Sequence, residues 1–179
     1  MYLEFFYVIA DYFKTLDKRK AIFEWLIPLL ISIIILVFIK DDSQQKLLES
    51  LCSNAVSLLG VLIGFSIASV TLLATSTSDN MVRIRSIQTK YKIGKKPLTL
   101  FSLLHVNFTY AIVIEVAAVV FALIVSYVAG GGVQDGSSKL LFGTIMFLIL
   151  HVLFLNMRNI TDFYFILMAE ADKKNNSVR

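Results

Sequence analysis

Residues 104–128 read LHVNFTYAIVIEVAAVVFALIVSYV, an apolar run with one carboxylate, Glu115, set inside it. A helix needs about 20 apolar residues to cross the roughly 30 Å hydrocarbon core of a bilayer, so this stretch can span even when tilted. This single acid has no charged neighbour within several residues on either side. A carboxylate at the centre of a membrane helix costs about 2.5–3.5 kcal/mol even on the lower insertion scales, which makes Glu115 a candidate functional residue.

Three further runs share this character: 21–39, 51–75 and 140–157. Of the 179 residues, 57% are hydrophobic and 17% charged, against about 25% charged in ordinary soluble domains. The predicted fold class is therefore an all-α membrane protein, a single membrane domain of four transmembrane helices. N-terminal and C-terminal segments, 1–20 and 158–179, form interfacial or cytoplasmic helices on either side. In the first of these, Glu4, Asp11 and Lys18 recur every seventh residue while Phe6, Tyr7, Tyr12 and Phe13 cover the rest, the division expected of a helix lying among headgroups or against a neighbour. In the last, residues 173–179 are expected to fray.

The spans differ from one another. Pro28 in the first has no donor and clashes one turn back, so a bend is expected there, with Trp25 at headgroup depth. The second is rich in small and hydroxylated residues, and Gly60, Gly64 and Ala68 fall four apart on one face. Such a stripe lets another backbone approach closely, as a seam within the bundle or as an oligomer interface or pore lining.

Lysine and arginine are distributed as positive-inside sorting would place them. The connection 76–99 holds Arg83, Arg85, Lys90, Lys92, Lys95 and Lys96 against one acid, Asp79, and reads as partly helical until Gly94 and Pro97 interrupt it. Lys14, Lys18, Arg19, Lys20 and Arg158 fall on the same side, whereas the opposite loops carry only Lys40, Lys46 and Lys139. Both termini are thus expected to face the cytoplasm. The basic connection suits anionic lipid or an acidic soluble partner, and direct nucleic-acid binding is not expected because no recognition element sits among the bases.

With that orientation Glu115 and His151 lie at similar depth on two antiparallel helices and form a candidate buried pair. Ser69 and Thr71 occupy a comparable level on the second span, and His105, Asn107 and Asn156 form a second polar tier nearer the cytoplasm. The layer can fix helix register, carry protons or ions, or act as a conformational trigger. Enzymatic chemistry is not predicted: the sequence holds no glycine-rich phosphate cradle or nucleophile elbow, and neither a metal ligand set nor a cofactor is expected. Cys52 stands alone and reads as a small buried side chain.

In length, in the basic connection between spans two and three and in the hydroxyl-rich helix GVLIGFSIASVTLLATSTS at 60–78, the chain resembles the small four-span membrane subunit of the Kiwa type of anti-phage defence system, the KwaA family. The resemblance implies an oligomeric inner-membrane sensor of infection that binds a soluble DNA-binding effector on its cytoplasmic face. The alternatives left by the residues are a small ion or proton channel and a holin-like permeabilising protein.

Overall fold

The computed structural model describes residues 4–39, 44–77, 79–131 and 135–176. Its elements are α1 (Glu4–Lys14), α2 (Lys18–Ala21), a π-helical turn (Ile22–Leu26), α3 (Ile27–Phe38), α4 (Gln44–Thr75), α5 (Asp79–Ser86), β1 (Gln88–Ile93), β2 (Lys96–Thr99), α6 (Leu100–Gly130) and α7 (Asp135–Asn176). Four stretches are long and apolar enough to cross a membrane: Lys18–Phe38, Lys46–Thr75, Leu100–Gly130 and Ser137–Phe165. The class is all-α, and the multi-pass plan is the one the apolar runs predict. Large apolar side chains stand open along α3, among them Leu30, Ile34, Val37 and Phe38, as expected of a surface whose solvent is lipid.

The chain forms two compact units. A bundle unit comprises Asp17–Phe65 and Ile112–Leu155. Its core takes Leu48, Cys52, Ala55 and Leu59 from α4, Ala118, Ala122, Val125 and Ala129 from α6, and Phe142, Ile145, Ile149 and Val152 from α7. On each helix these positions alternate three and four apart, the period that keeps one seam facing its neighbours. Small side chains in that seam permit the close backbone approach that drives helix association in lipid. Ile35 and Leu36 of α3 pack on the same core. Gly143 supplies a second close approach, because a Cβ there would collide with the side chain of Leu36.

A hairpin unit comprises Met1–Leu16, Ser66–Ala111 and Asn156–Arg179. It gathers the N-terminal helix, the basic connection and the C-terminal extension, three segments that the charge pattern assigns to one side of the membrane. Leu73, Met81, Ile84, Leu104 and Phe108 form its core, with Phe163 packed against it. Tyr12 is fully buried and stacks on Tyr110 with ring centroids 3.5 Å apart and planes 2° from parallel, so α1 docks on protein through Tyr12, while Phe6, Tyr7 and Phe13 stay exposed.

Several boundaries differ from those expected. The first helix stops at Lys14 because the N–H and hydroxyl of Thr15 both turn back to the Tyr12 carbonyl, at 2.9 and 2.8 Å. The connection 76–99, expected to be partly helical until Gly94 and Pro97, keeps a helix only over Asp79–Ser86 and then forms an antiparallel β-hairpin. Gly94 at φ +63° occupies the first position of its two-residue turn, where a left-handed backbone is needed and glycine supplies it without strain. Thr99 then caps α6, its hydroxyl accepting the Ser102 N–H at 3.2 Å. The helix that holds the fourth span, 140–157, runs on into the C-terminal segment: α7 is one helix of 42 residues, and it includes 173–176, where fraying is expected. Residues 177–179, Lys40–Ser43, Ser78 and 132–134 lie outside the described residues.

Candidate functional site

The bundle unit contains a polar node built on the proline of α3. Proline lacks an N–H and crowds the carbonyl four residues before it; for Pro28 that carbonyl belongs to Glu24. Here the helix widens, with the Ile27 N–H bonding five residues back to Ile22 in a π turn, a feature that often marks functional positions. The Glu24 carbonyl finds a donor on another helix: His151 Nδ1 lies 2.6 Å from it. A carbonyl only accepts, so Nδ1 carries the proton of this bond, which fixes the hydrogen on that nitrogen.

His151 is 1% exposed and packs in a cluster with two aromatic rings. Trp25 lies 4.5 Å from it at 49° and Phe147 stacks on it at 5.8 Å and 12°. The side chains of Glu24 and Glu115 are both fully buried in the same unit. Two carboxylates and an imidazole are therefore sequestered among the apolar segments, where the free energy of an acid depends steeply on its surroundings.

The other expected polar residues separate from this node. Ser69, Asn107 and Asn156 are buried in the hairpin unit. Asn156 Oδ1 accepts from Ser66 Oγ at 3.3 Å, and Ser66 is a partner that hydropathy alone does not single out. Neither amide atom of Asn107 has a hydrogen-bond partner among the described residues. Thr71 does not join a buried layer: it is exposed and its hydroxyl donates to the Ile67 carbonyl of its own helix at 2.9 Å. His105 is also exposed, lying against Phe101 with ring centroids 6.4 Å apart.

Glu24 was not expected at all. Beside Lys18, Arg19, Lys20 and Trp25 it reads as a headgroup-level acid, and the signal that locates it is Pro28 four residues on. The small-residue stripe also departs from one of its readings. A Cβ at Gly60 or Gly64 would meet nothing within 4 Å among the described residues, and Ala68 is exposed. Among the described residues no seam forms there, because the small residues of the α4 seam are Cys52 and Ala55 on another face.

The basic residues divide by role. Arg85 is structural: its guanidinium sits 4.9 Å over the Phe101 ring and reaches within 3.5 Å of the Ala74 carbonyl near the end of α4. Along β1 the side chains alternate, with Thr89, Tyr91 and Ile93 half-buried and Lys90 and Lys92 exposed. Lys95 and Lys96 add exposed charge at the turn. Thr89 ties the strands together by donating to the Leu98 carbonyl at 2.8 Å.

Together these features define the class as a four-span helical membrane protein with an intramembrane polar node and a basic hairpin. No protein-family model, no curated protein and no solved structure matches the chain. Among the described residues no group of three or more His, Cys, Asp or Glu side chains is placed to hold a metal ion.

Proposed function

We propose that the protein is a sensor and scaffold of the bacterial inner membrane that responds to phage infection or membrane disturbance and holds a soluble cytoplasmic effector. The observation that carries this reading is the hairpin. A two-stranded ribbon is marginal alone, yet this one is anchored between α5 and α6 and closed by the Leu100 N–H bond to the Ile87 carbonyl at 2.8 Å. Its lysines project from a fixed frame toward water, which suits an acidic protein surface and fast, charge-steered capture. The buried acids supply the responsive part: β2 runs directly into α6, the helix that carries Glu115, so a change of state at that acid has a covalent route to the ribbon.

Replacing Lys92, Lys95 and Lys96 with glutamine, while keeping Arg85 for its packing on Phe101, tests the docking surface. Membranes bearing the variant should capture several-fold less of the soluble partner from a host lysate. The residual binding should lose its salt dependence, because exposed charges act over about 8 Å at physiological ionic strength. Equal capture by both forms would remove the hairpin from the docking surface.

The stripe on α4 supports assembly into a homo-oligomer. Gly60→Leu combined with Gly64→Leu adds side chains where the protomer has room, so the variant should insert and fold. Its mass in detergent by light scattering should fall to that of a smaller species if copies meet on this face. An unchanged mass places the contact between copies elsewhere.

A further inference from the structure

We infer that the first span carries a binding site for an anionic phospholipid, with one acyl chain in a groove on the π turn and the headgroup on Lys18 and Arg19. The groove has a volume of about 320 Å³ and is lined by Ala21, Ile22, Trp25, Leu26, Leu29 and Phe147. That volume lies at the low end of ligand pockets, about 300–1,000 Å³, enough for part of one chain and too little for a whole lipid. Its wall is apolar and carries no charged side chain.

Charge sits at one end only. Ile22, Trp25, Leu26 and Leu29 follow one another at helical spacing, and stepping back three or four residues from Ile22 reaches Arg19 and Lys18, both exposed. From Lys18 to Leu29 a helix rises roughly 16 Å, about half of the hydrocarbon core of roughly 30 Å. Bases at the mouth and a carbon-lined cleft one leaflet deep match a phosphodiester headgroup with its acyl chain. A soluble anion would use only the bases, and a second apolar helix would not use them.

The site carries its own reporter. Trp25 is the one tryptophan of the chain and forms part of the groove wall, so quenching by phospholipid with brominated acyl chains reads occupancy there by contact. Full-length protein in nanodiscs of mixed composition should be quenched by brominated phosphatidylglycerol at a lower mole fraction than by brominated phosphatidylcholine. The preference should reach up to roughly thirty-fold, the equivalent of about 1 kcal/mol for each of the two exposed bases. Lys18→Gln with Arg19→Gln should erase it and leave quenching by the zwitterionic lipid unchanged. Ala21→Ile, which narrows the groove, should lower quenching by both.

Equal quenching by the two lipids in the unaltered protein would overturn the proposal and mark the contact as ordinary boundary lipid. A preference for phosphatidylglycerol that survives Lys18→Gln with Arg19→Gln would overturn it as well, by placing the anionic site elsewhere. The test does not depend on the sensor reading, since it requires neither a partner nor infection.

Discussion

Cells carrying Glu115→Gln should insert the protein at normal levels, capture the cytoplasmic partner as before and lose protection altogether, with plaque counts rising to those of cells lacking the protein. Glutamine keeps the shape of the side chain and its capacity to hydrogen-bond but removes the titratable charge. Glu115 is fully buried on α6, and an acid at the centre of a span carries a cost of about 2.5–3.5 kcal/mol. Neutralising it should therefore leave stability unchanged or raised, so that lost protection could not be ascribed to unfolding. In the proposed mechanism this acid biases the bundle between two states, and a ligand or disturbance can shift such an equilibrium only through what differs between them. Protection equal to that of the unaltered protein would make Glu115 a structural residue.

The second large effect concerns the carbonyl displaced by Pro28. His151→Leu removes the donor 2.6 Å from the Glu24 carbonyl and the ring that packs with Trp25 and Phe147. An unsatisfied buried acceptor costs about 1–3 kcal/mol, and the lost aromatic contacts add to it. Pro28→Ala restores an N–H four residues after Glu24 and so offers the same carbonyl a partner within its own helix. The double variant should then recover much of the loss, with a coupling of about 0.5–3 kcal/mol between the two positions. Folding titrations in mixed micelles, followed by Trp25 emission, measure all four corners of this cycle. Strictly additive losses would show that the two residues do not share the carbonyl.

What could be read without coordinates follows from how each signal is generated. The four spans were legible because hydrocarbon thickness imposes a length on any crossing helix, and no combination of turns produces 25 residues like 104–128 by accident. The burial of Glu115 and His151 was legible too, since a polar side chain on such a helix avoids lipid. The hairpin was hidden by its own lysines. In QTKYKI the two-residue alternation of Thr89, Tyr91 and Ile93 is present, but a charged connection is read first as topology, and Gly94 and Pro97 read as breaks when they are the turn and edge of a ribbon. Small residues on α4 announce close approach without naming the partner, so Gly60 and Gly64 suggested a seam that the chain builds from Cys52, Ala55 and Ala118. Pro28 showed where the first span is irregular. It could not show that a histidine more than a hundred residues away completes the missing bond, because that depends on which helix lies alongside.

The length of α7 has a mechanical consequence. Forty-two helical residues extend about 63 Å, whereas a bilayer with its headgroups is about 40–45 Å thick. A helix of that length, set upright, exceeds the bilayer by several turns, and the part beyond Leu155 is the part that belongs to the hairpin unit, where Phe163 packs on the core. Bilayer thickness governs the tilt that a long apolar helix adopts, so the inclination of α7 answers to the lipid as well as to the residues packed on it.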